Sequence, residues 1–102
     1  MKYYEIRGNL YGLVEDGRLV NPVNQRFFRV GYVERLIENE ARQIKNIEAW
    51  YEAHAAQLRD RIFELEAYLQ YADGQAYYRD RQKIAEAECE LALVEKYLAE
   101  NF

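Results

Sequence analysis

Few residues in this chain are equipped for chemistry. There is no serine and no threonine, one histidine (His54) and one cysteine (Cys89). The first absence removes the hydroxyl nucleophile of acyl transfer, the Ser/Thr of a phosphate-binding loop and any Ser/Thr phosphorylation switch. His54 and Cys89 stand about ten helical turns apart in sequence. They fall on what read as two different helices, so a thiol–imidazole pair would need the two registers to coincide. His54 lies between Tyr51 and Leu58 on an apolar stripe, the setting of a core or boundary histidine bonded to a neighbour. Neither H-E-x-x-H nor the Glu-x-x-His pair of di-iron bundles occurs. The reading is of a chain without catalytic residues, metal or cofactor. A lone cysteine can form no internal disulfide and reads as a free thiol in a reducing compartment.

Tyrosine is the conspicuous residue type, ten in 102 positions. Tyr68, Tyr71, Tyr77 and Tyr78 gather around Asp73-Gly74, with Arg79 and Arg81 beside them. Tyr and Arg are enriched where proteins bind proteins: a ring covers area at little rotamer cost, and a guanidinium offers several donors. These six residues are the expected partner-binding anchors, with Glu86 and Glu90 as steering charges. Tyr3, Tyr4 and Tyr11 form either a second patch or a covering layer. Ala85, Ala92 and Ala99 recur every seven residues, which fits either helix propensity or a self-association seam.

The elements that must carry these residues follow from the placement of helix breakers. From Tyr32 to Phe102 there is no proline and a single glycine, Gly74. Such a tract, rich in Glu, Ala, Arg and Leu, favours helix, and Gly74 divides it into two antiparallel helices. The stripe Val33, Ile37, Ala41, Ile44, Ile47, Tyr51, His54, Leu58, Ile62, Leu65, Leu69 makes ten steps over 36 residues. That 3.6 average is the period of a straight helix in a packed bundle. Residues 24–72 therefore read as one long helix and 75–101 as a second. Residues 24–31 admit a strand as the alternative, with the helix starting at Tyr32. Residues 1–23 read as a β-hairpin with a two-residue type I′ turn at Asp16-Gly17. Asp73 is placed to cap the second helix. The expected fold is mainly α (α+β): one domain, a long antiparallel helical hairpin with an N-terminal β-hairpin docked at one end. Counted from Tyr32, the first helix would outrun the second by roughly 20 Å. Val33, Leu36, Ile37 and Ile44 on that overhang then need cover from the β-hairpin, a second protomer or a target, and are the expected self-association residues.

Charge narrows the partners. Net charge is −4, carried by the C-terminal two thirds, which disfavours general nucleic-acid binding. No apolar run has the length of a membrane span, and no signal peptide opens the chain, so a cytoplasmic protein is expected (in the host cell, if phage-encoded). In general character the chain resembles the small acidic proteins that phages and mobile elements use to block host defence enzymes, anti-CRISPR proteins among them. That resemblance rests on no motif and implies no residue roles. The expected function is non-enzymatic protein binding by surface occlusion, as an inhibitor of a nucleic-acid-handling or defence enzyme or as an adaptor, with the protein a homodimer. The alternatives are a self-assembling scaffold subunit and a nucleic-acid accessory protein using the basic N-terminal segment.

Overall fold

The computed structural model describes residues 1–102. Two compact units divide the chain, Met1–Ile47 and Glu48–Phe102, and each has its own logic.

The first unit is built on alternation. Strands β1 (Tyr3–Ile6) and β2 (Asn9–Leu13) form a hairpin in which Tyr4 faces Tyr11 and Ile6 faces Asn9. The two residues between them, Arg7 and Gly8, have φ of +52° and +82°. This is where the type I′ geometry occurs, since both central residues of that turn need positive φ. At Asp16-Gly17 only Gly17 is left-handed, with φ +90°. Val14 N–H donates to Arg18 C=O at 3.0 Å and Gly17 N–H to Val14 C=O at 3.0 Å. The connection to β3 (Leu19–Val20) is thus a three-residue loop closed by a glycine bulge, correcting the expected turn type. The Asp16 carboxylate accounts for the difference. It accepts from Arg18 N–H at 3.1 Å and from Arg18 Nε at 2.8 Å, which fixes Asp16 in an ordinary turn conformation.

No helix begins at Asn24; residues 24–29 are loop and strand. The buried Asn21 side chain accepts from Val23 N–H at 2.9 Å and Asn24 N–H at 3.3 Å, winding the chain into a tight loop. Phe27–Phe28 then form β4 against β3, and helix α1 runs from Val30 to Asn39. Strand β5 (Arg42–Ile44) follows and pairs antiparallel with β1. The five strands lie in the order β4-β3-β2-β1-β5.

The expected unbroken helix over 24–72 is therefore corrected. No breaker marks the interruption, because its cause is distant in sequence. Arg42 pairs with Glu5 across the strands, and Arg7 Nε donates to Glu40 at 2.8 Å. That contact holds the Glu40 carboxyl below the usual carboxylate range. The apolar residues credited to a helix stripe serve the sheet instead. Tyr4, Ile6, Tyr11 and Leu19 on the strands meet Val33 and Leu36 on α1, with Ile37 and Ala41 at the margin. Burial pushes the Tyr11 phenol above its ordinary pKa.

The second unit is the helical hairpin expected from the Gly74 break. Helices α2 (Ile47–Leu69) and α3 (Gly74–Asn101) pack together, with Tyr51, Ala55 and Leu58 buried from one and Ile84, Ala87 and Val94 from the other. Gly74 takes φ +57°, the left-handed value that places glycine at such corners. Asp73 occupies the N-cap position in extended backbone but makes no side-chain cap bond, unlike the expectation. No helix is long and apolar enough to cross a membrane.

Candidate functional site

The two ends of the helical hairpin treat aromatic residues in opposite ways. At the open end rings pack on one another. Trp50 stacks on His54 with centroids 5.0 Å apart and meets Tyr51 edge-on at 5.1 Å. Tyr51 in turn lies 4.9 Å from Tyr97, which is 6.1 Å from Phe102. The His54 Nε2 to Glu90 carboxylate contact of 2.9 Å and an Arg59–Glu95 pair of 2.9 Å tie the helices across this end. His54 is thus a half-buried structural residue, as its place on the stripe implies.

At the closed end the rings face solvent. Tyr71 is 88% exposed and Tyr78 75%, and Tyr68 is also exposed. Only Tyr77 is held close, with Tyr78 edge-on at 5.7 Å and the Arg81 guanidinium 6.0 Å above its ring. The reason is local geometry. Tyr68 stands one position before the core-facing Leu69, Tyr71 lies in the connection, and Tyr78 is on the face of α3 turned from Ile84 and Ala87. None can reach the apolar seam. Aromatic rings left in water at one place on a fold mark an interaction surface more often than scattered single ones do.

Of the expected partner-binding residues, Tyr68, Tyr71, Tyr77, Tyr78, Arg79 and Arg81 come together around the corner and are exposed. Glu86 lies one turn further along α3, within reach of Gln82 at 3.4 Å. Glu90 is engaged by His54 and belongs to the packing of the hairpin rather than to its free surface. Phe63, exposed on α2 at 73%, went unmarked in the sequence reading. Its signal was legible: it directly follows Ile62 and falls outside the 3.6-residue stripe.

The expected self-association residues do not stay free. Val33 and Leu36 are buried in the core of the first unit, and Ile37 packs at its edge. Ile44 is half-buried in β5, opposite Tyr3. Their cover is the sheet, so the overhang argument for a dimer through them is withdrawn. Tyr4 and Tyr11 likewise belong to the covering layer. On the first unit a smaller apolar patch remains exposed, Phe27, Val30 and Tyr32, with the Arg18 guanidinium 5.0 Å over the Phe27 ring.

Charge follows the same division. Residues 1–47 carry eight basic and six acidic side chains, a balance of +2, whereas residues 48–102 carry six and twelve, a balance of −6. Within the hairpin the acidity sits wholly at the open end. Residues 61–83, which contain the corner, balance four basic against four acidic groups; the remainder holds two basic against eight acidic. The tip is therefore neutral, aromatic and arginine-bearing, at the end of an acidic stem. No three of the His, Cys, Asp and Glu side chains are grouped so as to hold a metal ion. The chain matches no protein-family model, no curated protein and no solved structure.

Proposed function

We propose that this protein works by binding another protein through the closed end of its helical hairpin, without making or breaking covalent bonds. The observation that carries the reading is the cluster of solvated rings, Tyr68, Tyr71 and Tyr78, around a corner that also bears Arg79 and Arg81. Such side chains anchor interfaces by filling pockets and excluding water. The acidic stem draws a partner whose nearby surface is basic, raising the encounter rate more than the final affinity. A basic surface with apolar pockets is the character of nucleic-acid-handling enzymes, so occlusion of such an enzyme, as inhibitor or adaptor, is the form of action this charge pattern supports.

The test is affinity capture with the tagged protein from its own cells, comparing wild type with the Tyr68→Ala/Tyr71→Ala variant. Both residues are exposed, so the variant keeps its helix content. A partner retained by wild type and lost by the variant supports the tip; a partner retained equally by both removes it from consideration. A second reading draws on the first unit, where Phe27, Tyr32 and Arg18 offer a stacking surface of the kind that single-stranded nucleic acid uses. A gel shift at low salt, weakened by added salt, supports that reading, and no shift at low salt dismisses it.

A further inference from the structure

The five-stranded sheet ends in two edges, β5 and β4, and their charges differ. On β5 the edge arginine, Arg42, is already held by Glu5 of β1. The arginines bracketing β4, Arg26 and Arg29, form no ion pair. Residues 24–32 are all exposed apart from the half-buried Phe28. Of the acids in this unit, Glu5, Asp16 and Glu40 are taken by Arg42, Arg18 and Arg7. Glu34, one turn into α1, is the free acid nearest in sequence to Arg29 and pairs with neither arginine. Arg18, engaged by Asp16, is not counted among the free charges.

The edge adds main-chain direction to charge. Antiparallel ladders alternate bonded and non-bonded pairs. Asn21 N–H donates to Arg26 C=O at 2.7 Å, so the next bonded pair along β3 and β4 is Leu19 with Phe28. Between them, Phe27 turns its N–H and C=O away from β3. The Arg29 N–H points the same way, since it opposes the Phe28 C=O across a planar peptide. Three backbone groups thus line an edge strand with no partner in the chain. Side chains alternate too. Phe28 packs on Tyr11 at 4.9 Å on the α1 side of the sheet. Arg26 shares that side, and Phe27 and Arg29 take the other.

A row of unpaired N–H and C=O groups accepts one kind of occupant, an extended chain. The arginines fix its chemistry. A second copy of β4 would gather four unpaired arginines along the seam, whereas an acidic segment neutralises two. All four pairings in the sheet are antiparallel. A strand continuing that pattern sets one residue opposite Phe27, the next opposite Arg26, and the residue two before it opposite Arg29. We infer that β4 is a docking edge for an extended segment of another protein that reads acid, any residue, apolar, acid, added antiparallel as a sixth strand. The apolar side chain lies beside the exposed Phe27 ring, and each acid meets an arginine. This site uses no residue of the hairpin tip and stands apart from the role given to it.

The probe is the blocked peptide Thr-Glu-Thr-Ile-Glu-Thr, titrated into the low-millimolar range against isotope-labelled full-length protein. The Phe27 and Arg29 amide resonances should shift, and their exchange with solvent should slow about fivefold or more. N-methylation of the isoleucine keeps both charges but removes the N–H that Phe27 C=O accepts, and should weaken binding about tenfold. Lysine at both glutamate positions should weaken it about fivefold or more. The reversed order, Thr-Glu-Ile-Thr-Glu-Thr, fits only a parallel strand and should bind less tightly. Arg26→Glu/Arg29→Glu should exchange the preference, losing the acidic peptide and taking the lysine one, while unchanged core amide resonances show the sheet intact. Equal affinity for the N-methylated peptide overturns the proposal, since charge alone then accounts for binding. So does the absence of any shift at Phe27 and Arg29, or a shift produced by protein concentration alone, which marks self-pairing. A shift produced by oligothymidine and not by the peptide overturns it in favour of nucleic acid. The Tyr68→Ala/Tyr71→Ala protein should bind the peptide as wild type does, so failure of the edge and failure of the tip are read separately.

Discussion

The two units of this chain spend their apolar residues differently. The sheet unit encloses them: Ile6 and Leu19 are fully buried in the cluster that α1 closes on one face of the sheet. The helical hairpin encloses fewer. Two of its six buried residues are alanines, and Val94 is its one large side chain sealed to the same degree. Its remaining apolar and aromatic surface is turned outward. A buried Leu or Ile contributes about 1.5–3 kcal/mol, so the first unit is organised by its interior and the second by what its surface meets. An antiparallel helix pair has one inward seam and two outward faces, whereas a sheet covered by a helix closes a layer.

The comparison can be broken at its strongest point. Leu19→Ala, at a side chain with no exposure, should cost about 3 kcal/mol. Denaturant unfolding followed by hydrogen exchange should show the loss concentrated in β1–β4. A loss below about 1 kcal/mol would mean that the interior of the first unit is less closed than described. Val94→Ala should cost less, about 2 kcal/mol, with lost exchange protection confined to α2 and α3. If it proved the costlier of the two, the contrast would be reversed.

The glycines sharpen the contrast more finely. Gly17 and Gly74 both take left-handed backbone, but a Cβ at Gly17 would sit 3.4 Å from Val30, whereas one at Gly74 would meet nothing within 4 Å. Gly74→Ala should therefore cost only the backbone term, about 1 kcal/mol, and Gly17→Ala somewhat more, about 1–2 kcal/mol. Equal midpoints for the two variants would show that Val30 yields without cost. The smallest effect is expected at Arg7–Glu40. Arg7 lowers the Glu40 pKa in the folded state, so the pair's stabilisation is present above the ordinary carboxyl value of 4.5 and is lost as pH falls through the lowered one. Arg7→Gln should flatten the acid limb of the stability–pH curve there, with a small loss of stability above that range and none below it. An unaltered acid limb would show that the pair is not formed in solution.

How much of this was legible in the sequence depends on whether the cause lay nearby in the chain. The hairpin of α2 and α3 was, because Gly74 is a local breaker inside a tract of helix formers. The exposed corner followed from the same residue, since side chains beside a sharp turn cannot all reach the seam. Strand β5 was hidden. Arg42, Gln43 and Ile44 carry no breaker, and Ala41, Ile44 and Ile47 continue a helical spacing by coincidence. What makes them a strand is β1, some 37 residues away, with Glu5 waiting for Arg42. The first turn was legible from Gly8-Asn9, but its centre at Arg7-Gly8 was not: a type I′ turn needs two positive φ values, and arginine is not a residue that announces one.

Trp50 is the only tryptophan in the chain, and it stacks on His54 within the helical hairpin. Its emission therefore reports on that unit alone. The sheet unit is silent at that wavelength and is seen through its amide infrared band instead. Two optical channels thus divide the molecule where its architecture does, and each half can be watched melting in the same cuvette without a label.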